Sequence, residues 1–239
     1  GSIDSTVRCW DCRSRRPDPV QVLDEAKDGI SSVKLSAHEI LTGSVDGRVR
    51  RYDLRTGQLC SDYIGSEWGL WGDPQSWGEL RGTPPNPRRV PPGPITSVCF
   101  SKDGQCVLAA SLDSTLRLLD KDTGELLGEY TGHRSTAYRL DCVLNEQDTH
   151  VGCASEDGHV YFWDLLEVRE GPWGGLGTLP TPPDPRCPPQ GSLALSLPVG
   201  QGVVQSLAFH PRLPCLLVAT QGQVTLWRED SFQPEGDPD

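Results

Sequence analysis

The sequence predicts an all-β fold assembled from repeated four-stranded units. Three observations predict it. A ten-residue frame recurs along the chain, as SIDSTVRCWD at 2–11, SVDGRVRRYD at 44–53, SLDSTLRLLD at 111–120 and SEDGHVYFWD at 155–164, with a worn copy ATQGQVTLWR at 219–228. Strand-like runs flank the frame: before the third copy ITSVCF (95–100) and QCVLAAS (105–111), after it GELLGEY (124–130). The copies also keep a period. Asp4 to Asp46 is 42 residues and Asp113 to Asp157 is 44, close to the roughly 40 residues of one four-stranded propeller blade.

Each column of the frame has a physical reading. Asp followed by Gly or Ser makes a tight turn, because the carboxylate accepts backbone hydrogen bonds and the small residue tolerates positive φ. This assigns Asp4, Asp46 and Asp113 to turns. The alternation that follows is a strand, closed by a Trp, Tyr or Leu with a large buried area. Two strands before the turn, one after it and one more beyond make a blade of a β-propeller. The expected architecture is a partial ring of four to five blades out of seven.

With the frame in place, the units resemble WD repeats. The copy from Gly132 to Asp164 carries the whole family pattern: Gly132-His133, then Ser155, Asp157 and Trp163. The resemblance implies that these four side chains, His133 to Trp163, form a structural hydrogen-bond chain tying a loop, a turn and a strand, with no catalytic part. The runs 43–59 and 111–133 further resemble a group of WD-repeat scaffolds that serve mitogen-activated protein kinase cascades and are associated with spliceosomal complexes. That resemblance implies protein partners, kinase-cascade components and splicing factors, and a place in cytoplasm and nucleus.

Two intervals are too long. Asp46 to Asp113 is 67 residues and Asp157 to the equivalent Gln221 is 64. Removing 67–93 (27 residues) and 168–190 (23 residues) restores spacings of 40 and 41. The two segments hold 13 of the 21 prolines and four of the seven tryptophans, without a period-2 pattern, so they are expected to be exposed loops lacking a core. Two readings stay open. One is a pair of specificity loops, with PPNPRRVPP as a polyproline ligand. The other is retained intron sequence, since the codons possible at 66–67, 92–93, 168–169 and 188–190 permit splice donors and acceptors. The predicted order is half a blade at 1–27, a blade at 28–66, the insert 67–93, and a blade at 94–131. Three blade strands at 132–167, the insert 168–190, their outer strand at 191–200, the last three strands at 201–228 and an acidic tail at 229–239 complete it.

Composition narrows the function. The net charge of -11 argues against affinity for nucleic acid, and no run approaches the roughly 18 to 20 apolar residues of a membrane span. A chain with no methionine is expected to continue upstream of Gly1. Nine cysteines, odd in number and irregularly spaced, read as reduced thiols, six of them in or beside strands. The single CxxC, Cys9 to Cys12, lacks two further zinc ligands at matched spacing. No catalytic set, cofactor site or small-molecule substrate is expected.

The candidate residues are therefore partner-binding ones. Ile3, Val45, Leu112 and Glu156 precede the turn positions of four copies and are expected to point toward one surface, three of them apolar where a solvated turn is polar. Arg8, Arg50 and Arg117 share a column and read as solvated loop charges. Arg51 sits where other copies are apolar, so it needs an acidic partner or a water-filled edge. Residues 1–13 also resemble the Trp-Asp-x-Arg box of cullin-ligase substrate receptors, with Arg13 in register, and Arg55 ends the second copy. This implies an alternative role as a ligase substrate receptor.

Overall fold

The computed structural model describes residues 1–14, 17–64, 93–169 and 190–228. Strands β1 (Val7–Cys9) and β2 (Gln21–Leu23) form an antiparallel pair, the first blade as far as it is present. Strands β3 (Ile30–Leu35), β4 (Glu39–Ser44), β5 (Arg48–Asp53) and β6 (Leu59–Ile64) make the second blade as an antiparallel meander. The third comprises β7 (Ile95–Phe100), β8 (Cys106–Ser111), β9 (Thr115–Asp120) and β10 (Leu126–Thr131). The fourth comprises β11 (Cys142–Leu144), β12 (His150–Ala154), β13 (His159–Arg169) and β14 (Gln190–Pro198). One parallel pair, Glu129 with Gln190, fuses the third and fourth into an eight-stranded sheet. Strands β15 (Val204–Phe209), β16 (Cys215–Thr220) and β17 (Gln223–Arg228) form the fifth blade.

The all-β expectation holds, as does the four-stranded unit. So does the turn chemistry. The Gly or Ser of all five frames has positive φ: 67° at Ser5, 78° at Gly47, 58° at Ser114, 84° at Gly158 and 82° at Gly222. Side chains larger than glycine reach this region only at a cost, and here the turn hydrogen bonds hold Ser5 and Ser114 in it.

Blades stack face to face, so the core lies between them. Val7 and Leu23 of the first blade pack on Ile40 and Tyr52 of the second. Leu41, Val49 and Tyr63 of the second meet Ile95 and Val98 of the third. Leu116 and Tyr130 of the third meet Cys142 and Trp163 of the fourth, and Val160 of the fourth meets Val204 and Leu216 of the fifth. A strand covered on both faces needs apolar residues of both parities. That is why LRLLD buries Leu116, Leu118 and Leu119 together.

The inserts expected at 67–93 and 168–190 lie outside the described residues except at 93, 168, 169 and 190. At the second, pairing continues past the blade: Val168 pairs with Gly191 and Arg169 with Gln190, after a register shift beyond Trp163. Residues 168, 169 and 190 are thus strand, because a hairpin ladder continues wherever backbone partners remain opposed. The eight described cysteines are free thiols; Cys142, Cys153 and Cys215 are buried, whereas Cys12 and Cys60 are exposed.

Candidate interaction face

In every complete hairpin, the turn after the second strand lies beside the loop that enters the first. Register places Ile30 opposite Ser44, Ile95 opposite Ser111 and Val204 opposite Thr220. One backbone bond repeats there. The N–H of Val45 donates to Gly29 O at 2.9 Å, that of Leu112 to Pro94 O at 3.0 Å, and that of Glu156 to Arg134 O at 2.9 Å. Neighbouring blades join at this same end. Ile30 N–H reaches Ser2 O at 2.9 Å, Val204 N–H reaches Ser155 O at 3.1 Å, and Ser135 N–H reaches Ser114 Oγ at 3.0 Å. The turn ends of successive blades therefore form one continuous face.

The turn aspartates organise it. Asp4, Asp46, Asp113 and Asp157 each accept the N–H two residues on, at 3.0–3.1 Å. A second fastening escaped the sequence reading. Arg50 donates to Ser44 Oγ and to Asp46 Oδ2, both at 2.8 Å, and is almost fully buried. Arg117 repeats the fork onto Ser111 (2.9 Å) and Asp113 (2.8 Å), and Arg8 reaches Asp4 at 2.6 Å. In the fourth blade Tyr161 takes the position and its hydroxyl donates to Asp157 at 2.7 Å. The column read as solvated charge is thus a set of turn pins. Its sequence signal was the constant offset of four residues from the turn Asp. Burial works against ionisation of Asp46, but hydrogen bonds from Arg50 and Ser44 outweigh it and hold the carboxyl below its ordinary range.

Arg51 has an acidic partner: its Nη1 lies 2.6 Å from Glu39 and 3.3 Å from Asp122 of the next blade. Lys121 also reaches Glu39, at 3.2 Å, so a polar network replaces apolar contact in that part of the joint.

The fourth blade keeps only part of the chain of contacts that the family resemblance implies: Ser155 hydrogen-bonds Asp157, which also accepts from Tyr161, and Ser155 Oγ accepts the Arg134 N–H at 3.0 Å. Neither ring nitrogen of His133 has a hydrogen-bond partner among the described residues. His133 instead packs edge-on against Trp163, with ring centroids 5.6 Å apart. Burial pushes its imidazole down to about 4, so it stays neutral at neutral pH and serves as an aromatic.

The four outward candidates separate. Ile3 is 93% exposed and Val45 42%, whereas Leu112 is half-buried. Glu156 does not face a partner. Its Oε1 accepts the N–H groups of Thr136, Ala137 and Tyr138 at 2.7, 2.7 and 3.0 Å, clamping the loop before β11. Burial opposes its charge, yet these three donors pull the carboxyl down to about 2. The clamp presents Tyr138, which is exposed, beside Arg134 and Arg139. Arg13 and Arg55 lie at the opposite end, after the third strands, with 95% and 76% of their side chains exposed. The closing Asp of the frame caps that end: Asp11 accepts from Arg13 N–H at 2.9 Å and Asp53 from Arg55 N–H at 2.7 Å. Among the described residues no three His, Cys, Asp or Glu side chains converge as metal ligands, and no helix is long and apolar enough to cross a membrane.

The family model described as WD domain, G-beta repeat, matches residues 86–120 and 124–164. The chain is 57% identical over 225 residues to WD repeat domain-containing protein 83 of Rattus norvegicus, covering 94% of this chain and 56% of that protein. It is 57% identical over 222 residues to the Homo sapiens protein of the same name, covering 93% and 55%. The chain thus spans little more than half the length of these relatives. Among solved structures, the computationally designed Ika8 protein superposes with a TM-score of 0.62 at 19% identity, covering 96% of this chain and 54% of that one, a likeness of fold alone. Repeat frame, blade geometry and these likenesses agree, and the chain belongs to the WD-repeat family.

Proposed function

We propose that this chain is a non-enzymatic scaffold that holds proteins on its turn-end face, and that its partners are components of a mitogen-activated protein kinase cascade. Bringing two such partners onto one body raises their effective concentration, and rates rise without bond chemistry by the scaffold. The resemblance of 43–59 and 111–133 to kinase-cascade scaffolds supports the partner class, and extends it to splicing complexes and to both cytoplasm and nucleus. One observation carries the reading. Ile3 and Val45 expose apolar side chains on turns whose aspartates are already held by the backbone N–H two residues on. Such residues are free to contact a partner and contribute little to folding.

Replacing Ile3 and Val45 together by Asp is expected to leave the thermal midpoint within about 2 °C, as surface changes usually do, while recovery of kinase-cascade partners in pull-down is lost. Unfolding of the double variant would make these residues core, and undiminished recovery would remove this face from the scaffold. The exposure of Arg13 and Arg55 favours one alternative, a substrate receptor of a cullin-type ligase. Cullin-adaptor recovery that disappears with Arg13→Ala would select it.

A further inference from the structure

We propose that Cys99 and Cys142 form a dithiol modification site, which a peroxide oxidises to a disulfide joining the first strands of the third and fourth blades. Alternation along β7 sends Val98 back into the joint with the second blade and Cys99 forward into the joint with the fourth. There Cys99 packs against the cluster that holds Cys142 of β11, and the two thiols lie within hydrogen-bonding reach of each other. The Leu144 N–H of β11 also donates to Cys99 Sγ, which holds the sulfur against the partner strand. This joint is interior to the chain, with the second blade on one side of it and the fifth on the other. Cys153 is the competing thiol, since register sets it opposite Cys142. Its Sγ donates to Ala154 O at 3.2 Å, however, and so turns to the backbone of its own strand.

Cys99 is half-buried and Cys142 buried, and both line a cavity of about 290 Å³ together with Lys34, Phe100 and Phe209. Cys99 is therefore the thiol that a small oxidant meets first. A peroxide transfers one oxygen to its sulfur, leaving a sulfenic acid and an alcohol, or water when the oxidant is hydrogen peroxide. The Cys142 sulfur then attacks that of Cys99. The S–O bond breaks, hydroxide leaves with the Cys142 proton as water, and the S–S bond forms. Thiols and disulfide are alike uncharged, so closure strands no ion in the joint. Contact with Cys142, then burial, pushes the Cys99 thiol up, while the Lys34 ammonium favours its thiolate. The reactive thiolate is scarce, so the pair stays reduced under brief oxidation and closes under sustained peroxide.

Hydrogen peroxide applied to the folded 239-residue chain, followed by proteolysis and mass spectrometry without reductant, tests this. Cys12→Ser, Cys60→Ser and Cys187→Ser in the same chain remove competing thiols, of which Cys12 and Cys60 are exposed. The chain is expected to lose two free thiols, to yield a peptide pair linked through Cys99 and Cys142, and to recover both thiols with dithiothreitol. Cys153→Ser should leave that linkage in place. Cys142→Ser should abolish it and let dimedone trap Cys99 as the sulfenic acid. The linkage itself is read with Cys99 and Cys142 unaltered, so the test stands even where a variant fails to fold. Intact thiols at both positions after sustained peroxide overturn the proposal, as does a Cys142–Cys153 linkage in place of the expected one. The same preference for this pair in urea, where strand register is gone, overturns it as well.

Discussion

Trp163→Ala is expected to lower stability by about 3–5 kcal/mol, the range for deleting a fully buried large aromatic. Trp163 is 1% exposed at the joint of the third and fourth blades. Three aromatic partners surround its ring: Tyr130 at 6.0 Å, Tyr161 stacked at 5.9 Å, and His133 edge-on at 5.6 Å. Truncation leaves a void that strands held in register on both sides cannot close, since Val151 and Leu193 pair with this residue along the backbone. Urea unfolding should show a lower midpoint with unchanged slope, the signature of lost stability without a changed unfolded state. Trp227 fills the same column but is half-buried, so Trp227→Ala should cost clearly less. A loss below about 1 kcal/mol for Trp163→Ala, the size of an ordinary surface effect, would mean the joint is not packed as described.

Arg50→Ala is expected to cost about 3–5 kcal/mol, because removing one member of a buried ion pair strands the other. Asp46 would keep its turn N–H donors but lose both guanidinium contacts, and Ser44 would lose its donor, in a site where Arg50 is 1% exposed. Arg8 occupies the same column and contacts Asp4 in the same way, yet its side chain is 37% exposed. Water screens that pair, so Arg8→Ala should cost about 0–1 kcal/mol. Arg117, at 15%, should fall between. The series separates burial from sequence pattern. Equal losses at all three positions would show that the pin is set by the pattern alone.

These two cases also show what could be read from sequence and what could not. The frame was legible because its demands are local: a turn needs Asp and a residue tolerant of positive φ, and Ser5, Gly47, Ser114, Gly158 and Gly222 all meet that demand. The apolar columns were legible because blade stacking repeats the same contacts. The Arg column was misread because a shared column does not reveal burial, which runs from 1% exposure at Arg50 to 37% at Arg8. Glu156 was misplaced because its partners, the N–H groups of 136–138, belong to a loop about twenty residues earlier in the chain. Likewise, the family pattern gave His133 a place in a hydrogen-bond chain, whereas the structure packs its ring edge-on against Trp163, a contact that depends on a loop course the sequence does not specify. Arg13 and Arg55 read as candidates alongside Ile3 and Val45, yet strand direction sends them to opposite ends of the blades.

The central claim is that partners sit on the turn-end face, and hydrogen exchange of the chain bound to a kinase-cascade partner, against the free chain, tests it most directly. The account predicts slowed exchange at residues 2–6, 44–47 and 134–139, with the outer strands β6, β10 and β14 unchanged. Protection confined to those outer strands, or to the turns that carry Arg13 and Arg55, would contradict it.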